Sequence, residues 1–195
     1  GAIAGYTAGT LLDRMVSAIA VSGVSVPQYW LGIVLGVIFS VDLGWLPAMG
    51  AGEGGVLARL HHMILPAVTL AAMPAGIVTR SVRALVAEIL ARDFVTALRA
   101  KGLGRRAILL HVARNVAPTA LAVMGVQLGY LMAGSILVET VFSWPGTGLL
   151  LNTAILQRDI PLLQGTILVL ALFFVGLNLV VDILQPLVDP RMKRT

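Results

Sequence analysis

Few residues in this 195-residue chain are equipped for covalent or metal chemistry. It contains no cysteine, which excludes disulfides, thiol nucleophiles and thiolate metal sites. Its three histidines, His61, His62 and His111, form no zinc-ligand spacing. No Gly-x-x-x-x-Gly-Lys-Ser/Thr loop is present, so the chain is not expected to bind ATP itself. No catalytic residue and no metal site are expected. Two other sets of residues stand out. One is a basic run holding Arg99, Lys101, Arg105 and Arg106, which could meet acidic protein groups or lipid headgroups. The other is a scatter of polar side chains inside apolar stretches: Gln28, Tyr29, Gln127, Tyr130 and Asn178, with Glu139 at the edge of one. Such residues either hydrogen-bond helix to helix or face a path for cargo. Met124, Met132 and His61–His62 read as packing and interface residues.

The elements that hold these residues follow from composition. Hydrophobic residues make up 58% of the chain and charged residues 12%, with a mean hydropathy of +0.94. A soluble domain is about 45–50% apolar and about 25% charged, so this one is expected to be an all-α integral membrane protein. Stretches free of Asp, Glu, Lys and Arg run for 27 residues after Arg14, 20 after Arg59, 24 after Arg114 and 22 after Asp159. A spanning helix needs about 20 apolar residues. Four spans are therefore expected, near 15–41, 60–80, 115–138 and 160–182. Residues 1–12 are too short to cross and read as the end of an earlier span. The chain starts on Gly1 inside an apolar stretch, which suggests a piece of a longer protein.

Pro27, Pro74 and Pro118 are expected to kink their helices. Gly32/Gly36 and Gly125/Gly129 are small-xxx-small pairs that favour close helix contact. Asp159 followed by Pro161 predicts a helix start near Ile160. With four spans, 12 of the 14 basic residues fall on one side, in the segment 80–114, the tail and Arg14, leaving Arg59 and Arg158 opposite. The positive-inside rule makes that side, with the C-terminus, cytoplasmic. In a membrane protein this excess is a topology signal rather than a nucleic-acid patch. The outer loops, 42–60 and 139–160, carry Trp45, Pro47, Phe142, Trp144 and Pro145. Glu139 could meet a cationic group of a cargo, cap a helix or pair with Arg158; Asp182 is expected to pair with a loop arginine.

The segment 81–114 is the longest inner connection. Alanine, leucine, valine and isoleucine are spread among its charges, and 84–100 holds neither Gly nor Pro. It predicts a helix continuing the second span, then a short helix over 93–101 with Asp93 as N-cap and Gly102 as stop. A second amphipathic stretch follows over 107–116. Such a held helix suits docking to a partner; a solvated basic loop that only sets topology is the alternative.

These residues resemble a known family. The run Thr96-Ala-Leu-Arg-Ala-Lys-Gly-Leu-Gly-Arg-Arg106, followed by His111, Arg114, Asn115 and Pro118, is similar to the coupling loop of ATP-binding-cassette importer permeases. The likeness is to the B-type subunit of dipeptide, oligopeptide and nickel uptake systems. Ser25-Val-Pro-Gln-Tyr-Trp-Leu-Gly32, Leu43-Gly-Trp-Leu-Pro47, Leu137-Val-Glu-Thr-Val-Phe-Ser-Trp-Pro-Gly-Thr-Gly148, Arg158-Asp-Ile-Pro-Leu-Leu-Gln-Gly165, Asp182 and Asp189-Pro-Arg191 fit the same subfamily in order. The wider family's Glu-Ala-Ala before the loop glycine is replaced here by Thr96, Ala97 and Leu98, and its later Ile-x-Leu-Pro is unmatched, so the subfamily likeness carries the weight.

The resemblance implies a polytopic helix bundle of the type I importer permease fold, forming one transmembrane domain over 1–195. It implies a non-catalytic subunit in a bacterial inner membrane. The partners would be a second homologous permease, two ATPase subunits carrying ATP and Mg, and an extracytoplasmic substrate-binding protein. The coupling site would comprise Phe94, Thr96, Ala97, Leu98, Arg99, Ala100, Lys101, Gly102, Leu103, Gly104, Arg105 and Arg106. The translocation path would draw on Gln28, Tyr29, Gln127, Tyr130, Glu139 and Asn178. Dipeptides, oligopeptides, nickel chelates and glutathione all remain open as cargo. An ion-coupled secondary transporter is the competing class, but neither an internal repeat nor paired intramembrane charges appear. A membrane scaffold whose basic loop recruits a partner is another.

Overall fold

The computed structural model describes residues 1–188, and every described element is helical. In chain order these are α1 (Ala2–Tyr6), α2 (Leu11–Ser25), α3 (Gln28–Gly36), α4 (Val56–Leu90), α5 (Asp93–Ala100), α6 (Arg105–Val141), α7 (Thr147–Gln157) and α8 (Ile160–Val188). A π-helical stretch, Val37–Asp42, continues α3. Three helices, α4, α6 and α8, are long and apolar enough to cross a membrane, and α2 with α3 passes as a fourth only if the bent pair is one span.

The expected first span is thus two helices. At Pro27 the backbone is extended, with φ −59° and ψ 133°, and α3 starts on the next residue. Proline denies the preceding turn a donor and disfavours helix in the residue before it, so the chain breaks rather than kinks. Pro66 and Pro74, by contrast, sit inside an unbroken α4, and Pro118 inside an unbroken α6. The 107–116 stretch is no separate element but the beginning of α6. With 35 residues, α4 measures about 52 Å at about 1.5 Å per residue. That exceeds a hydrocarbon core about 30 Å thick, so it continues past the apolar layer. The 37-residue α6 does the same.

The start of α8 agrees with the sequence. Asp159 Oδ1 accepts the Leu162 N–H at 3.0 Å, and the Asp159 carbonyl accepts the Leu163 N–H at 2.9 Å. The outer segment 139–160, expected to be a loop, contains the 11-residue α7. Among the described residues Asp182 is exposed and forms no ion pair, contrary to expectation. Asp189, Pro190, Arg191 and the basic tail lie outside the described residues.

The chain divides into two compact units. The first holds 1–23, 75–127 and the chain from 178. Its core is Val86, Ile89, Val95, Ile108, Val112, Val116 and Ala120, from α4, α5 and α6. Here α1 packs tightly on α4: a Cβ on Gly5 would fall 2.6 Å from the Arg83 carbonyl. The second unit holds 24–74 and 128–177. Its core is Leu65, Val138 and Phe142, with Leu35, Phe39, Leu46, Leu70 and Val141 packed against it. Gly32 lets α3 approach this core, since a Cβ there would meet Phe142 and Thr69 at 3.2 and 3.3 Å. The glycine-rich loop before α4 is tied down by histidines. The ring N–H of His61 donates to the Trp45 carbonyl at 3.0 Å, and that of His62 to the Met49 and Gly50 carbonyls.

Candidate functional site

The basic run forms a helix held against the first unit's core. α4 stops at Leu90, the chain turns at Ala91–Arg92, and α5 begins at Asp93. The N-cap is Arg92, not Asp93, and no side chain bonds to the free N–H groups there. Asp93 instead occupies the first turn, where its charge suits the positive end of the helix dipole. Val95 is fully buried, and Leu98 and Leu103 pack on the same cluster. The amphipathic spacing of the run therefore has a physical outlet: one face of α5 seals the gap between the end of α4 and the start of α6.

The exit from α5 is a Schellman turn. The Gly102 N–H donates to the Arg99 carbonyl at 2.9 Å and the Leu103 N–H to the Leu98 carbonyl at 3.2 Å. Gly102 has φ +79°, in the left-handed region, and a Cβ there would meet nothing within 4 Å. Its role is conformational, not a matter of space. With Val95 inward, α5 presents Phe94, Thr96, Ala97, Arg99 and Ala100 outward, followed by Lys101, Arg105 and Arg106, all exposed. Leu98 and Leu103 are half-buried and Gly104 is exposed. Arg92 pairs with Glu88 one turn back, at 2.6 Å. The result is an apolar centre ringed by guanidinium and ammonium groups on a helix packed against the first unit's core.

The intramembrane polar residues divide between the units. In the second, Gln28 donates through Nε2 to the Leu70 carbonyl at 3.3 Å. That carbonyl has no α-helical donor because residue 74 is proline, so Gln28 supplies what Pro74 removes. Tyr29 and Tyr130 are about half exposed, at 51% and 55%. Glu139 serves as a cap: its Oε2 accepts the N–H groups of Gly148 and Leu149, at 2.8 and 3.0 Å, at the start of α7. In the first unit Gln127 is buried, and its Oε1 has no partner among the described residues. Asn178 is half-buried on α8 and is engaged in an interaction.

A comparison with protein families matches residues 1–194 to the binding-protein-dependent transport system inner membrane component. The chain belongs to this family. It is 38% identical to the di/tripeptide transport system permease protein DppB of Pseudomonas aeruginosa over 99% of this chain and 64% of that protein. It is 42% identical to the glutathione transport system permease protein GsiC of Escherichia coli K12, over 93% of this chain and 58% of that protein. The chain therefore spans about three-fifths of the length of the curated relatives it matches. Family membership and the apolar helices together make it a multi-pass membrane protein.

One feature of this chain was not singled out in the sequence. Asp13 is 2% exposed and carries a two-point ion pair with Arg83 of α4, Oδ1 to Nε at 2.6 Å and Oδ2 to Nη2 at 2.7 Å. The Gly9 N–H adds a third bond at 2.9 Å and the Ser17 hydroxyl a long fourth at 3.4 Å. A signal existed: Thr10-x-x-Asp13 ahead of an apolar run is a capping-box pattern. Thr10 Oγ1 indeed faces the Asp13 N–H at 3.4 Å. The Asp13 carboxylate, however, turns from the cap toward Arg83, and only the packing of α2 on α4 brings that arginine close.

Proposed function

We propose that this chain forms the translocation pathway of an ATP-driven importer of short peptides and couples that pathway to separate ATPase subunits through α5. The observation that carries the reading is the geometry of α5. It is locked on one side by Val95, Leu98 and the turn at Gly102, and on the other it offers Phe94 and Ala97 among Arg99, Lys101, Arg105 and Arg106. A helix so held transmits force between an ATPase groove and the α4 and α6 arms, where a solvated loop would absorb it. ATP and Mg belong to the partner subunits. A second homologous permease completes the pore and a binding protein delivers cargo at the outer face. The 80–114 segment and the C-terminus face the cytoplasm in a bacterial inner membrane.

Short peptides are the cargo class favoured by the relatives' names, and the similarity to a glutathione permease makes a tripeptide-like thiol the second reading. Tyr29, Tyr130 and Gln127 are the pathway candidates whose polar groups are not consumed by a helix cap, whereas Gln28 and Glu139 already hold the helices together.

The test is reconstitution of the full-length permease with its ATPase subunits and binding protein, comparing wild type with Phe94→Asp. A negative charge in the apolar centre of α5 is expected to release the ATPase subunits and abolish peptide uptake, with membrane insertion unchanged. Uptake that persists with the ATPase subunits detached, or without ATP, would reject the coupling role.

A further inference from the structure

Between α2 and α4, within the first unit, lies a groove of about 620 Å³ whose lining includes Ser17, Val21, Ile77, Arg80, Ser81 and Arg83. Its charge does not cancel. The Arg83 guanidinium is committed to Asp13. Arg80 is exposed and, like the Ser81 hydroxyl, has no hydrogen-bond or ion-pair partner among the described residues. The groove is also ordered along its length. Arg80 closes the 20-residue charge-free stretch of α4, so it stands where apolar core gives way to headgroups. Ile77 lies about one turn further into that stretch. On α2, Ser17 and Val21 repeat the order, polar and then apolar one turn deeper. A phosphate with fatty chains attached has the same order: an anion at one end and hydrocarbon at the other.

We infer that this groove binds the phosphate of an anionic phospholipid, held by Arg80 and the hydroxyl of Ser81, with the first acyl carbons over Val21 and Ile77. Arg83, neutralised by Asp13, positions the wall and leaves Arg80 as the free guanidinium among the described lining residues, which sets the preference for an anion. Basic pockets between spans recognise headgroups in this way. The site stands apart from the coupling helix and does not depend on what is imported.

The experiment uses the full-length permease in nanodiscs and in detergent. Retained lipid is measured by native mass spectrometry, and thermal stability is followed on adding phosphatidylglycerol, phosphatidylcholine or inorganic phosphate. Phosphatidylglycerol is expected to be retained and to raise the melting temperature. Arg80→Gln should weaken that binding about tenfold, the loss of one charge-assisted contact. Arg80→Lys should restore most of it and so report on fold integrity. Arg114→Gln, an exposed charge outside the groove, should leave it unchanged. Equal weakening by Arg114→Gln would show diffuse surface attraction and overturn the site. A match between inorganic phosphate and phosphatidylglycerol would overturn the lipid as its source. Loss of a permease–permease complex in Arg80→Gln, with lipid retention intact, would reassign the groove to a protein contact.

Discussion

At the scale of single residues, two positions decide whether the coupling region keeps its shape. Gly102 is needed for its φ of +79° and not for space, since no atom lies within 4 Å of where a Cβ would be. Gly102→Ala should therefore cost only the backbone penalty, about 1 kcal/mol. Gly102→Asn should cost less, because asparagine tolerates the left-handed region. Gly102→Val should cost the most, because branching at Cβ adds to the strain. Hydrogen exchange at Leu103 and Lys101 reads this order directly; equal exchange in all three would remove the Schellman turn from the account. Asp13 and Arg83 are the second case. Replacing Arg83 by Gln strands a buried carboxylate, and Asp13→Asn strands only a partly exposed guanidinium. The melting temperature should fall more for Arg83→Gln than for Asp13→Asn, and the double variant should recover part of the Arg83→Gln loss. Additive losses would mean the two side chains do not act as a pair. In the sequence Arg83 counts only as one of the basic residues that set topology, and Asp13 carries no reading of its own. Their pairing joins positions 70 residues apart, and no local pattern encodes that.

At the scale of elements, α5 is a helix because its inward face is bought by burial. Eight residues are too few to be helical alone in water. Val95→Ala should cost about 2 kcal/mol through lost methyl contacts and an unfilled cavity. Because Val95 is the fully buried contact of α5, the loss should appear as local opening, measured as faster proteolysis at 92–103 with α4 and α6 still protected. Uniform loosening of the whole chain would contradict a separately docked helix. The existence of α5 and its stop at Gly102 were legible from composition, because glycine after an amphipathic run has one common meaning. Its N-cap was not: Asp93 looks like a cap by type, yet Arg92 takes the extended position. The hidden helix α7 shows the opposite failure. Its cap is Glu139, contributed from the end of α6 nine and ten residues earlier, so the usual Ser/Thr/Asp/Asn signal is absent at Gly146. Likewise, Gly125 and Gly129 both face α8, where a Cβ would fall 2.5 Å from Val181 and 2.8 Å from Phe174. Of the other spacing pair only Gly32 makes such an approach, while Gly36 has nothing within 4 Å. Spacing alone could not tell these pairs apart.

At the scale of the whole molecule, these 195 residues hold no cysteine, so one introduced here reports orientation once any cysteine elsewhere in the full-length protein is replaced. A single cysteine at Gly54 should react with a membrane-impermeant maleimide in intact cells, and one at Arg99 should react only in inside-out vesicles. The reverse pattern would invert the topology and place α5 outside. The sequence by itself determined the class, a multi-pass helical membrane protein, because bilayer thickness and the cost of burying charge translate directly into charge-free runs of about 20 residues. It also determined the family, through motifs spread along the chain. The tertiary structure decided what length and charge leave open. It showed that Pro27 breaks a helix while Pro66 and Pro74 do not, and that Gln28 supplies the carbonyl freed by Pro74. It showed that Glu139 closes α7 and that Asp13 holds Arg83. The last three join groups from different elements. In a low-dielectric interior a polar group must find a partner wherever the fold puts one, and that place is fixed by packing rather than by spacing.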